Sequence, residues 1–299
     1  MGYNLGMNNV SIANNKNLEK RGFVNSIIRL LTLPILNLIP EKALRKTAKA
    51  SSKDASNILE KVGTTHALEV MYTRHHRKLF SRGILQGIAD WYWHHVISQL
   101  KAIRNRLKIV EYNLETEIKN RIEAEQEDIE ILTVGGGSSR AIIQTISRFI
   151  KEYQETKIIV TNLDKDPTVV ELGKKIAESF GVSGSFKWII DTASKIDLHV
   201  AENSVDIVEM VGLMDYFDNE KSISVCKKIY KTLKNGGLFI VANIYPNSEK
   251  KFVEKVGWPK MHYKTPDDFI NILKEAGFKN EPNLIFEPLR VHIIGLVKK

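Results

Sequence analysis

Residues 131–143, Ile-Leu-Thr-Val-Gly-Gly-Gly-Ser-Ser-Arg-Ala-Ile-Ile, carry the strongest chemical signal in this 299-residue chain. An apolar run enters a cluster of glycines, serines follow, and a second apolar run begins. That pattern reads as a strand, a tight turn and a helix start, the place where α/β proteins hold nucleotides. Gly135 and Gly137 fit the first two places of G-x-G-x-x-G, but Arg140 stands in the third. The dinucleotide fingerprint is therefore incomplete, and no Gly-Lys-Ser/Thr follows to make a Walker P-loop. What remains is a turn whose glycines let a ligand lie against the backbone.

The other reactive residue types point away from metals and disulfides. A single cysteine, Cys226, excludes an intrachain disulfide and a multi-cysteine zinc site, and it is compatible with a reducing cytoplasm. Histidines cluster at His66, in Arg-His75-His76-Arg-Lys and in Asp90-Trp-Tyr-Trp-His-His-Val. Adjacent histidines leave a helix on different sides, whereas paired ligands need a spacing of three or four, so no metal is expected. Trp91 and Trp93 suit either helix packing or an aromatic cap over a pocket.

The elements that must carry these residues follow from periodicity. After residue 121, short apolar runs alternate with helical patterns: strands at 129–134, 157–162, 186–190, 205–211, 237–243, 284–286 and 290–297. Asp166 before Pro167 and Thr265 before Pro266 are helix N-caps, and Asn235-Gly236 and Gly277 end helices. The alternation implies an α/β fold with a mostly parallel sheet covered by helices on both faces. Residues 65–112 read as two helices joined near Arg82-Gly83, the second striped by Val96, Leu100, Ile103, Leu107 and Val110.

The N-terminal part differs in charge. Residues 1–120 hold 19 Lys and Arg against 9 Asp and Glu, so they carry the basic excess of a chain whose net charge is +9. Such a surface suits nucleic acid, anionic lipid or solvent alone. Residues 1–20, rich in Asn, read as a mobile tail. Residues 23–40 are apolar, yet Arg29 lies in the middle and Pro34 breaks the run, which argues against a membrane span. No secretory signal pattern is visible. An amphipathic segment over residues 23–46, packed on the protein or lying on a lipid surface beside Lys42, Arg45 and Lys46, fits better.

From about residue 129 onward the chain resembles the class I S-adenosylmethionine-dependent methyltransferases. The resemblance rests on Thr-Val-Gly-Gly-Gly-Ser-Ser-Arg, Val-Thr-Asn-Leu-Asp-Lys-Asp-Pro, Phe-Lys-Trp-Ile-Ile-Asp-Thr, Val-Asp-Ile-Val-Glu-Met-Val-Gly-Leu-Met-Asp-Tyr and Leu-Lys-Asn-Gly-Gly-Leu-Phe-Ile-Val, in that order. It implies a Rossmann-like, mostly parallel seven-stranded sheet and S-adenosylmethionine as cofactor. Gly135, Gly136, Gly137 and Ser138 would hold its methionine part. Asp164, followed by Lys165, would take the ribose hydroxyls, and Asp191 with Thr192 would take the adenine. Val211 and Gly212 would close the site. Thr133 stands where the family often has an acid, Ser139 where it has a third glycine, and Asn235 where it has proline.

The expected organisation is an N-terminal tail and basic amphipathic segment (1–63), a helical cap (64–120) and an S-adenosylmethionine-binding methyltransferase domain (121–299), in a cytoplasmic protein with room for peripheral membrane contact. A small-molecule or lipid-like acceptor is expected from the aromatic cap. An RNA or protein acceptor served by the basic half, or aminopropyl transfer on the same fold, are the alternatives. His262 and Tyr263, after the fifth strand of that domain, are the catalytic candidates, and His262 is the natural proton acceptor near neutral pH. The run after the fourth strand is not Asn/Asp-Pro-Pro-Tyr, and Cys226 lies on a buried stripe, which disfavours two methyltransferase subclasses.

Overall fold

The computed structural model describes residues 3–4, 9–73, 83–153 and 156–299. One twisted sheet organises the molecule. Its strands are β1 (Tyr3–Asn4), β2 (Val10–Ile12), β3 (Asp128–Val134), β4 (Lys157–Asp164), β5 (Phe186–Ile190), β6 (Val205–Val211), β7 (Leu233–Ile244), β8 (Asn283–Phe286) and β9 (His292–Lys298). They lie in the order β1-β2-β8-β9-β7-β6-β3-β4-β5. The pairs among β5, β4, β3, β6 and β7 are parallel, while β9 runs antiparallel to β7 and to β8. Strand order therefore reverses between β3 and β6, and a cleft opens at their carboxyl ends.

The seven expected strands are present, and the sheet is longer than expected because the N-terminus joins it. Val10, Ser11 and Ile12 pair in parallel with Leu284, Ile285 and Phe286. They cover what would otherwise be an open edge. Glu19 then accepts two hydrogen bonds from Arg104, at 2.6 and 2.8 Å. Residues 9–20 are thus fixed to the body, which corrects the reading of a mobile tail. The short Val-Ser-Ile run gave too little pattern to reveal a partner so distant in sequence.

Among the described residues, the α-helices before β3 are α1 (Phe23–Leu38), α2 (Glu41–Ser51), α3 (Lys53–Glu60), α4 (Thr65–Thr73), α5 (Ile84–Trp91) and α6 (Ser98–Glu123). Pro34 does not break α1. Its missing N–H orphans the Leu30 carbonyl, and both residues lie on the exposed face, where water can satisfy that group. Tyr92–Val96 form a π-helical turn before α6. The second expected helix therefore starts later and runs further, because Leu114 and Ile118 continue its buried stripe. Glu249 caps α6 from the far side of the chain: its carboxylate accepts from the N–H groups of Ser98 (2.9 Å) and Gln99 (3.0 Å).

The remaining helices flank the sheet: α7 (Arg140–Glu152), α8 (Pro167–Ser179), α9 (Asn219–Thr232), α10 (Lys250–Lys255) and α11 (Pro266–Glu275). Asp166 and Thr265 cap α8 and α11 as expected. Two apolar clusters fill the two faces of the sheet. A third joins Leu33, Leu44 and Ile58 of the N-terminal helices to Trp93, Phe252 and Val291. The helical region and the sheet thus share a core.

Candidate active site

The glycine turn sits at the reversal point. The Gly135 N–H donates to the Leu163 carbonyl at 2.8 Å, which ties the start of the turn to the end of β4. Gly137 has φ +52°, and a Cβ there would fall 2.1 Å from Thr65 Oγ1, so conformation and space both require glycine. Asn162 reaches from β4 to donate to Ser139 Oγ at 2.5 Å. The N-terminus of α4 closes one side of the turn. Glu69 on α4 accepts from Ser138 Oγ at 2.8 Å and from Arg140 Nε at 2.7 Å. Arg140, the residue that spoils the dinucleotide fingerprint, is the latch between the cap and α7.

The neighbouring strand sets an acid beside Thr133. Thr133 and Glu209 are register partners on β3 and β6, and Thr133 Oγ1 donates to Glu209 Oε2 at 2.6 Å. Burial pushes the Glu209 carboxyl up to about 7, opposed by the Thr133 hydrogen bond and by the Arg106 cation.

Asp164 ends β4 beside the turn. Its two oxygens accept from the N–H groups of Gly137 (2.8 Å) and Asp166 (2.9 Å). A carboxylate has about four acceptor positions, so capacity remains for hydroxyl donors. Asp191 follows β5 and hydrogen-bonds His199 Nε2 at 3.0 Å and the Thr192 N–H at 2.8 Å. The His199 contact, reinforced by Thr192 and Lys195, holds this carboxyl down to about 2. Gly212 leaves β6 with φ +90°, and the Arg106 guanidinium lies against it.

These residues border one cavity of about 780 Å³. Gly135, Gly136, Ser138, Asp164, Lys165, Asp191, Thr192, Val211 and Gly212 line it, while Gly137 sits underneath Thr65 and gives the lining only indirectly. The far half is apolar, walled by Leu68, Met71, Trp93, Leu100, Phe252 and Met261. Tyr72, Arg106, Asp215, Tyr216 and His292 add polar groups to the lining. Arg106 pairs with Asp215 at 3.6 Å, and Asp215 also accepts the Ile244 N–H at 2.6 Å. Among the described residues, Arg106 Nε and His292 Nδ1 are buried with no hydrogen-bond partner, which leaves two groups for a ligand to satisfy. Burial, then the Arg106 cation, holds His292 well below the usual imidazole range, so its ring is neutral at physiological pH.

His262 and Tyr263 are not among the residues lining this cavity. The His262 backbone is taken up by Asp215 and Asn243, and Lys250 lies over the Tyr263 ring. Trp93 faces the cavity, whereas His94 is buried in a hydrogen bond to Asp54 at 3.0 Å. His75 and His76 lie outside the described residues. Cys226 is fully buried, which raises its thiol to about 12 and leaves no thiolate for covalent chemistry.

A family model described as a methyltransferase domain matches residues 125–277, just over half of the chain. The chain belongs to that family. No curated protein matches it in sequence. A protein from Bordetella parapertussis described as a possible exported protein has the same fold at TM-score 0.67 and 12% identity, covering 92% of this chain and 96% of its own. That likeness takes in the N-terminal helices as well as the sheet. A Nostoc punctiforme protein described as a candidate O-methyltransferase aligns over 62% of this chain and 56% of its own, at 18% identity and TM-score 0.47. Human N-acetylserotonin methyltransferase, solved with S-adenosylmethionine, aligns over 57% of this chain and 47% of its own, at 16% identity and TM-score 0.43.

The methyltransferase thus has the class I sheet with a cap built from its own N-terminus. Sequence reasoning missed Glu69, Arg106, Glu209 and His292. The one available signal was the set of polar residues inside apolar stripes, such as Arg106 between Ile103 and Val110.

Proposed function

We propose that the methyltransferase binds S-adenosylmethionine at the sheet end of its cavity and methylates an acceptor with an apolar body and a small polar head. The observation that supports this most is the continuity of one cavity. Its sheet end has the glycine turn, Asp164 and Asp191, and its other end has an apolar wall of cap and α10 side chains. The wall suits a lipid-like acceptor better than a polyamine, whose cations would need free carboxylates.

The cofactor, when bound, supplies an electrophilic methyl group on a sulfonium, so the chain's own residues need only bind, align and exclude water. Asp164 presents acceptor oxygens to vicinal hydroxyls. Asp191, ionised throughout the neutral range, suits an amino group. Gly212 leaves room for a ligand beside Arg106. Arg106, Tyr72 and His292 offer hydrogen bonds to the polar head of the acceptor, holding its nucleophilic atom toward the sheet end. The apolar wall disfavours water beside the acceptor.

Asp164→Ala should weaken S-adenosylmethionine binding at least tenfold, by about 1.4 kcal/mol or more, without altering the circular dichroism spectrum. Calorimetry showing wild-type affinity would remove Asp164 from the site. With methyl-labelled cofactor and cell extract, label is expected in the organic-solvent fraction; label confined to RNA or protein would overturn the acceptor assignment.

A further inference from the structure

Ten of the fourteen large apolar side chains exposed among the described residues belong to two helices, α1 and α5. On α1, Phe23, Ile27, Leu30, Leu31, Ile35 and Leu38 recur at helical spacing along the outer face, with Phe23 82% exposed. On α5, Ile84, Leu85 and Ile88 do the same, with Leu85 85% exposed. The other four exposed side chains are scattered singly and need no explanation. Both helices flank the Tyr92–Val96 turn, α1 through Thr32 Oγ1 on Tyr92 Oη at 2.7 Å and α5 by running directly into it.

Arg29, Asn25 and Thr32 of α1 bond to the protein body. Arg29 Nε donates to Glu249 at 2.5 Å, and Asn25 donates to the His95 carbonyl at 3.3 Å. The charge that argues against a membrane span is therefore turned into the protein, and the outer stripe is left apolar. No helix of the described residues is long and apolar enough to cross a membrane. Helix α2 follows α1 directly. It and the start of α3 expose Lys42, Lys46, Lys49 and Lys53, while the one acid of α2, Glu41, is paired with Arg45.

We infer that α1 and α5 form a docking face for an anionic lipid bilayer, with the α2 lysines meeting its headgroups. An apolar stripe flanked by lysines fits shallow insertion at a charged interface. A second copy fits less well, because a two-fold interface would set the same lysine row against itself. The face lies on the outside of the cavity's apolar wall: α1 packs against Trp93's turn and against α10, whose Phe252 and Val253 line the interior. Docking there places the acceptor half of the cavity next to the lipid phase.

The test uses the full chain and co-sedimentation with phosphatidylcholine vesicles, with and without phosphatidylglycerol. Binding is expected to the anionic vesicles and to weaken in high salt. Leu30→Glu/Leu31→Glu/Leu85→Glu should reduce partitioning roughly tenfold or more. Lys42→Gln/Lys46→Gln/Lys49→Gln should remove the preference for anionic lipid. Thermal melting and calorimetry with S-adenosylmethionine check that each variant is folded, and they separate failure of docking from failure of the methyltransferase reading. Equal binding by the triple-glutamate variant would overturn the proposal. So would a chain that ignores both vesicles, whether it is monomeric or forms a dimer dispersed by the same substitutions.

Discussion

Glu209 shows what burial does to one carboxyl beside the glycine turn. Near the end of β3 stands Thr133 rather than an acid, and its hydroxyl donates to the carboxyl of its register partner on β6. Enclosure raises that carboxyl from 4.5 to about 7. A raised carboxyl pKa favours the folded state fully below the unfolded value, and this contribution is lost as pH rises through the folded value. Relative to Glu209→Gln, the wild-type protein should therefore lose stability between pH 4.5 and about 7, by roughly 3 kcal/mol in all. Urea melts at stepped pH would show it, and parallel curves for the two proteins would contradict the assignment. Asp191 behaves oppositely: its partners keep it ionised, so its character should not change across the same range.

At the scale of elements, the contact between α4 and the glycine turn is decisive. Glu69 holds both Ser138 and Arg140, and the Arg140 and Glu69 side chains are 14% and 13% exposed. Removing one partner of a largely buried pair leaves the other charge uncompensated, a cost of about 3 kcal/mol or more. Glu69→Ala should therefore lower the melting temperature and also loosen the turn, raising the cofactor dissociation constant severalfold. A stability loss with unchanged cofactor affinity would show that α4 only covers the turn. Helix α6 has a comparable dependence, because its first N–H groups are capped by Glu249 from beyond β7.

For the whole molecule, the structure argues against a detachable N-terminus. Leu33, Leu44 and Ile58 share a core with Trp93 and Phe252, and β2 extends the sheet. Losing three such side chains removes about 2–5 kcal/mol each, which is comparable to the whole stability of an ordinary domain. A chain lacking residues 1–60 should fail to melt cooperatively. Wild-type melting and cofactor binding in that truncation would show instead that the sheet stands alone.

The strands from β3 to β9 were readable from alternation and turn residues, and the caps of α8 and α11 from Asp-Pro and Thr-Pro, because these signals are local. The glycine turn and Asp164 were readable because they adjoin strand ends. By itself the sequence determined a parallel α/β sheet, a glycine-rich turn at the end of its first parallel strand and a basic, apolar N-terminus. Only the tertiary structure decided that β2 closes the sheet edge, that Glu69 latches the cap and that Arg106 and His292 border the cavity. It also decided that His262 and Tyr263 do not. Each of those outcomes depends on residues tens to hundreds of positions apart, and no short-range period records which distant surfaces bury one another.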